Sequence, residues 1–185
     1  MSFFTNFLRR FMRDEKGTIL IETLVVLPLF LWAFAAMFAY WDAYRNINSV
    51  QKAAYTVADL ISRNQVAVDD AYIGGMLTTL NYVMKTENTG KMRVTSFKWN
   101  DPDKRYEVIF SRSPNSAMPR LTDADLANLT SRLPIMANAD SAVLVEVDVP
   151  YTPPVNYGLA PGSLPQFIVT RPRLISKLCH ADVAC

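Results

Sequence analysis

The stretch RRFMRDEKGTILIETLVVLPLFLW, Arg9 to Trp32, changes character at a single glycine. Up to Gly17 it is charged, with Arg9, Arg10, Arg13 and Lys16 set against Asp14 and Glu15. From Thr18 to Trp41 run 24 residues, an apolar stretch opened by Thr18 and interrupted only by Glu22, Thr23 and Pro28. At 1.5 Å per residue such a run is about 36 Å long as a helix, enough to cross a hydrocarbon layer of about 30 Å. A cleaved secretory signal has an apolar region of only about 7 to 15 residues. Ala33 and Ala35 do supply a small-x-small site, so ordinary signal cleavage, giving a mature chain that starts between Ala36 and Tyr40, stays open as an alternative.

Working outward, the excess of Lys and Arg before the run over the pair that follows it, Arg45 and Lys52, places the N-terminus in the cytoplasm. The expected organisation is a basic cytoplasmic leader over 1–17, a transmembrane helix over 18–41 and an outer domain over 42–185. Half of the chain is hydrophobic, but the excess is concentrated in the one segment. The remainder reads as one small domain long enough to bury a core. Residues 1–17 hold four of the 19 basic and two of the 17 acidic side chains, which leaves 15 of each sign in the rest. A chain beginning at Thr18 is therefore neutral, which argues against nucleic acid as a partner, because phosphate binding draws on a basic surplus. Arg171, Arg173 and Lys177 read as a solvated edge.

Glu22 needs a reason, since an acidic side chain at the centre of a membrane helix costs about 2.5 to 3.5 kcal/mol on insertion scales. Two readings are open. Glu22 lies near enough to the end of the segment to reach the headgroups. Alternatively it has a partner: it follows Thr18 by four residues, one helical turn on and on the same face. A cut after Gly17 would give Thr18 a free α-amino group, which Glu22 could neutralise in its own chain or in a neighbouring subunit. Buried charge is tolerated when it is paired.

At these residues the chain resembles type IV pilins and pseudopilins: a short basic leader, glycine at the cut, glutamate as fifth residue of the mature chain and a hydrophobic helix. More narrowly, DEKGTILIETLVVLPLFL (Asp14–Leu31) resembles the opening of TadE-like pseudopilins of the tight-adherence (Flp) pilus, down to the Leu-Pro-Leu ending. Flp-type precursors commonly carry an aromatic after the glutamate, where this chain has Thr23. The resemblance covers residues 9 to about 45. It implies cleavage between Gly17 and Thr18 by a prepilin peptidase and subunit pairing through Thr18 and Glu22. It also implies a single-pass inner-membrane protein with a periplasmic outer domain, whose partners are other pilins and pilus assembly proteins. The alternative is a signal-anchored periplasmic binding or scaffold protein.

Past the membrane the chain predicts one continuous helix from about Thr18 to about Asn64, kinked at Pro28, with an outer stripe of Val50, Ala54, Val57 and Ile61. A second helix, capped by Asp69 or Asp70, carries Ile73, Leu77, Leu80 and Met84 on one face, weakened by Gly74 and Gly75. KMRVTSFKW and RYEVIFS, joined by NDPDK, read as a hairpin with Tyr106, Val108 and Phe110 on one face. LTDADLANLTSRL predicts a short helix capped by Thr122 or Asp123 and ended by Pro134. SAVLVEVDVPY alternates, with Val143, Val145, Val147 and Val149 inward and Glu146 and Asp148 outward. A proline-rich loop from Pro153 to Pro165 then leads to a last strand, QFIVTRP. The fold class is α+β: a long N-terminal transmembrane helix continues as an amphipathic stalk packed on a small antiparallel sheet.

For chemistry the sequence offers little. One histidine, His180, and two cysteines supply no nucleophile with its base, and there is no glycine-rich phosphate loop. No catalytic residue, cofactor or metal is expected, and the protein is read as not an enzyme. Asp123, Asp125 and Asp140 lack the spacing of a calcium loop. Outside the cytoplasm Cys179 and Cys185 would close a small disulfide, and a zinc site of Cys179, His180 and Cys185 is the sharper alternative.

Overall fold

The computed structural model describes residues 17–84, 90–155 and 157–185, without the side chain of Thr18. Two compact units emerge: the chain up to Asp42 together with Pro153–Leu159, and Ala43–Thr152 together with Ala160–Cys185.

The first unit is built on the opening of helix α1, Gly17–Ser62, which runs unbroken through Pro28. Its side chains from Ile19 to Leu31 are exposed on every side. In water such a surface would be prohibitive, and in a single helix it is what lipid accepts. Within the same unit Tyr157 meets the edge of Trp32, ring centroids 6.1 Å apart. Gly158, at φ +78°, lies where a side-chain carbon would come within 3.8 Å of the Tyr40 hydroxyl.

The second unit is the α+β body. The later part of α1 is amphipathic as its sequence predicts, with Val50, Ala53, Ala54, Val57, Ala58 and Ile61 buried. Three of these six are alanines. Helix α2, Asp70–Met84, starts on Asp69, whose Oδ1 accepts the Tyr72 N–H at 2.7 Å. Strands β1 (Lys91–Asn100), β2 (Arg105–Arg112), β3 (Ser141–Tyr151) and β4 (Gly162–Thr170) form one antiparallel sheet in the order β2-β1-β3-β4. Helix α3, Asp123–Asn128, lies in the crossover from β2 to β3. Thr122 caps it in a reciprocal capping box with Asp125, while Asp123 instead accepts the Val108 N–H. A 3₁₀ turn at Thr130–Arg132 follows, so the helix ends well before Pro134, whose carbonyl accepts the Tyr106 hydroxyl at 2.8 Å.

Both faces of the sheet are covered. On one, α1 and α2 pack on Met92, Val94 and the Val143–Val149 stripe; on the other, Leu126, Leu133 and Met136 of the crossover cover Phe97, Ala142 and Leu144. The outward face expected for Glu146 is therefore half-buried. Tyr106, Val108 and Phe110 do not share a face. Phe97 pairs with Val108 but Ser96 pairs with Phe110, so Ile109 is the extra residue of a bulge. One inserted residue turns all that follows to the other side, which sends Phe110 into the helix-covered core and leaves Tyr106 in the other. Strand β4 also begins earlier than expected, at Gly162, with Pro165 opposite Asp148. It is an edge strand, where a missing N–H is tolerated.

Candidate functional site

Gly17 opens α1, and Glu22 stands exposed on its second turn. Among the described residues Glu22 has no hydrogen-bond or ion-pair partner within its own chain. Thr23 turns its hydroxyl back to the Ile19 carbonyl at 2.7 Å, which removes one polar group from the apolar surface. The basic head, residues 1–16, and the Thr18 side chain lie outside the described residues. Over the stretch that follows, α1 is long and apolar enough to cross a membrane.

The other feature with chemical potential is the C-terminal tail. Cys179 and Cys185 are bonded as a disulfide, Cα atoms 5.7 Å apart, so neither thiolate exists for the zinc site that was the alternative. The loop is tied to the segment between α1 and α2. Val68 donates to the Cys179 carbonyl at 2.9 Å, and Ala181 donates to the Val68 carbonyl at 2.8 Å. This clasp buries His180 completely, its ring 5.5 Å from that of Phe110. His180 Nδ1 accepts the Asp182 N–H at 3.2 Å, so the neutral ring carries its proton on Nε2, 3.3 Å from Asp70 Oδ1. Asp70, His180 and Asp182 place possible ligand atoms within 4.8 Å of one another. The two carboxylates approach different ring nitrogens, Asp70 Oδ1 at 3.3 Å from Nε2 and Asp182 Oδ2 at 4.0 Å from Nδ1. Nothing in the spacing of the sequence marked His180 as a core residue; its position between two cysteines was the one available signal.

The remaining charged candidates act structurally. Asp140 pairs with Arg171 at 2.9 Å, Asp59 with Arg173 at 2.7 Å, and Lys177 donates to the Cys185 carbonyl at 3.1 Å. The edge expected to be merely solvated thus joins the tail to the body, although exposed pairs of this kind contribute only about 0 to 1 kcal/mol each. Asp123, Asp125 and Asp140 all hold backbone N–H groups and do not converge on one point. At the hairpin, Glu107 accepts from Asn100 and pairs with Lys98 and Arg105, which holds its carboxyl at a pKa of about 2. Thr122 lowers that of Asp125 in the same sense, through hydrogen bonds from its backbone and side chain.

Comparison with protein-family models, with curated proteins and with solved structures gave no match.

Proposed function

We propose that this chain is a TadE-like pseudopilin, or minor pilin, that takes part in assembly of a tight-adherence pilus of the type IV kind. The observation that carries the reading is the placement of Glu22, five residues after Gly17, on a helix that is apolar and exposed around it and becomes an amphipathic core helix further on. In this reading residues 18–41 span the inner membrane with the N-terminus in the cytoplasm, and the α+β body lies in the periplasm, where the Cys179–Cys185 bond is stable. A prepilin peptidase cuts after Gly17, because a side chain there would obstruct the approach of the backbone to the enzyme. The protein's partners are then other pilins and assembly proteins, and its work is structural.

The test is the intact mass of the protein from cells with and without the peptidase. A chain that starts at Thr18 only when the peptidase is present supports the reading. An unchanged precursor in both overturns the processing step, and a signal-anchored periplasmic domain then becomes the better description.

A further inference from the structure

Between α2 and the segment linking β2 to α3 lies a cleft of about 650 Å³. That volume falls within the range of about 300 to 1,000 Å³ usual for small-molecule sites. Arg112, the last residue of β2, sits in its wall with only 16% of its side chain exposed. A guanidinium offers five N–H donors. Among the described residues this one makes a single hydrogen bond, from Nη1 to the neighbouring Ser111 carbonyl at 3.5 Å, the outer limit for such a bond. Its Nε has no hydrogen-bond partner and makes only a long ion pair, 3.7 Å, with the exposed Asp70 Oδ1, which also faces His180. A largely buried arginine with its donors so little used is rare, because leaving them unmet is unfavourable.

The walls are shaped to leave room beside it. Gly74, in the interior of α2, is a poor helix former, and a Cβ added there would meet nothing within 4 Å. Opposite, Asn115 and Ser116 both hold left-handed backbone, φ +53° and +52°, a conformation that such residues rarely adopt in succession. Ser113 fixes that turn: its hydroxyl donates to the Met92 carbonyl at 2.7 Å and accepts the Met118 N–H at 3.1 Å.

We propose that this cleft binds a small polar molecule carrying one carboxylate, anchored on Arg112. The planar fork of arginine matches the two oxygens of a carboxylate. Arg112 and Arg120 against Asp70 leave the site with one net positive charge, which suits a monoanion better than a phosphate dianion. Thr78, Asn81 and Asn115 line the rest and suit a body bearing hydroxyl groups. The proposal is independent of whether the chain enters a filament.

The test is calorimetric titration of the full-length protein in detergent with three probes: glucuronate, glucose as the same body without the charge, and inorganic phosphate. Glucuronate is expected to bind saturably, about tenfold or more tighter than glucose, and to lose about tenfold in Arg112→Gln. Asp70→Asn, which removes the competing carboxylate, is expected to tighten it. Gly74→Phe fills the cleft from a half-buried position in its wall, where an added Cβ meets nothing within 4 Å, and is expected to abolish binding with the circular dichroism unchanged; should Arg112→Gln fail to fold, this variant decides. Glucuronate binding that is absent, no tighter than that of glucose or phosphate, or unaffected by Gly74→Phe overturns the proposal.

Discussion

Arg93 and Glu146 face each other across β1 and β3, Nη2 to Oε2 at 2.6 Å, with only 9% and 15% of their side chains exposed. Arg93 also donates to the Pro119 carbonyl, so the pair fastens the crossover segment to the sheet. Removing one partner from such a pair leaves a buried charge, at a cost of about 3 to 5 kcal/mol, whereas an apolar pair of similar volume is often tolerated. Glu146→Ala is therefore expected to lose about 3 kcal/mol, and Arg93→Met with Glu146→Leu considerably less. Urea unfolding followed by tryptophan fluorescence measures both. A double variant that loses the sum of what Arg93→Met and Glu146→Leu each lose alone would show that the pair is not coupled.

The C-terminal clasp holds by more than its covalent bond. On the chain-entropy model, a ring closed by cysteines six residues apart contributes about 2 kcal/mol. The two Val68 backbone hydrogen bonds and the buried Leu178 and His180 anchor the tail beside it without covalent bonds. Cys179→Ser with Cys185→Ser is thus expected to stay folded at slightly lower stability. The wild-type protein should react with a thiol reagent only after reduction; rapid labelling beforehand would contradict the bond.

How much of this was legible follows from periodicity. The Val50 to Ile61 stripe and the Val143 to Val149 alternation name their buried faces directly, because each repeats with its element's own period. The bulge at Ile109 is invisible for the opposite reason: Val108, Ile109 and Phe110 are all apolar, so an inserted residue leaves no mark on the pattern. The second core was hidden because Leu126, Leu133 and Met136 come from a short helix, a turn and a loop, with no shared period. Arg93 and Glu146 are 53 residues apart and meet only through strand order. Gly17 and Glu22 were readable as a motif, and Arg112 was not, since a lone arginine at a strand end has no sequence signature.

Glu107 gives the hairpin a dependence on acid. Asn100, then Lys98 and Arg105, lower its pKa from 4.5 to about 2. The folded state therefore binds fewer protons than the unfolded state between those values. The stabilisation is complete above pH 4.5 and is lost as pH falls through about 2. In Glu107→Gln this contribution is absent at every pH, so the gap in unfolding midpoint between wild type and variant should narrow as pH falls from 4.5 towards 2. A gap that stays constant would mean that the carboxylate's charge is not what its neighbours stabilise.

Under the proposed reading, substitution of Glu22 is expected to separate insertion from assembly. Replacing it with glutamine removes a charge from an apolar helix, so Glu22→Gln should reach the membrane at least as well as wild type. If the carboxylate neutralises the Thr18 amine of its own or a neighbouring subunit, the same change strands that amine in an apolar setting, where losing one partner costs about 3 to 5 kcal/mol. Insertion should then survive while filament assembly is lost. A glutamate that simply reaches the headgroups predicts that both are kept, since an exposed pair is worth only about 0 to 1 kcal/mol. Membrane fractionation beside a count of surface pili, for wild type, Glu22→Gln and Glu22→Ala, distinguishes the two. Normal pili in both variants would refute pairing and with it the strongest argument for a pilin, because the apolar helix and the α+β body serve a tethered domain equally well.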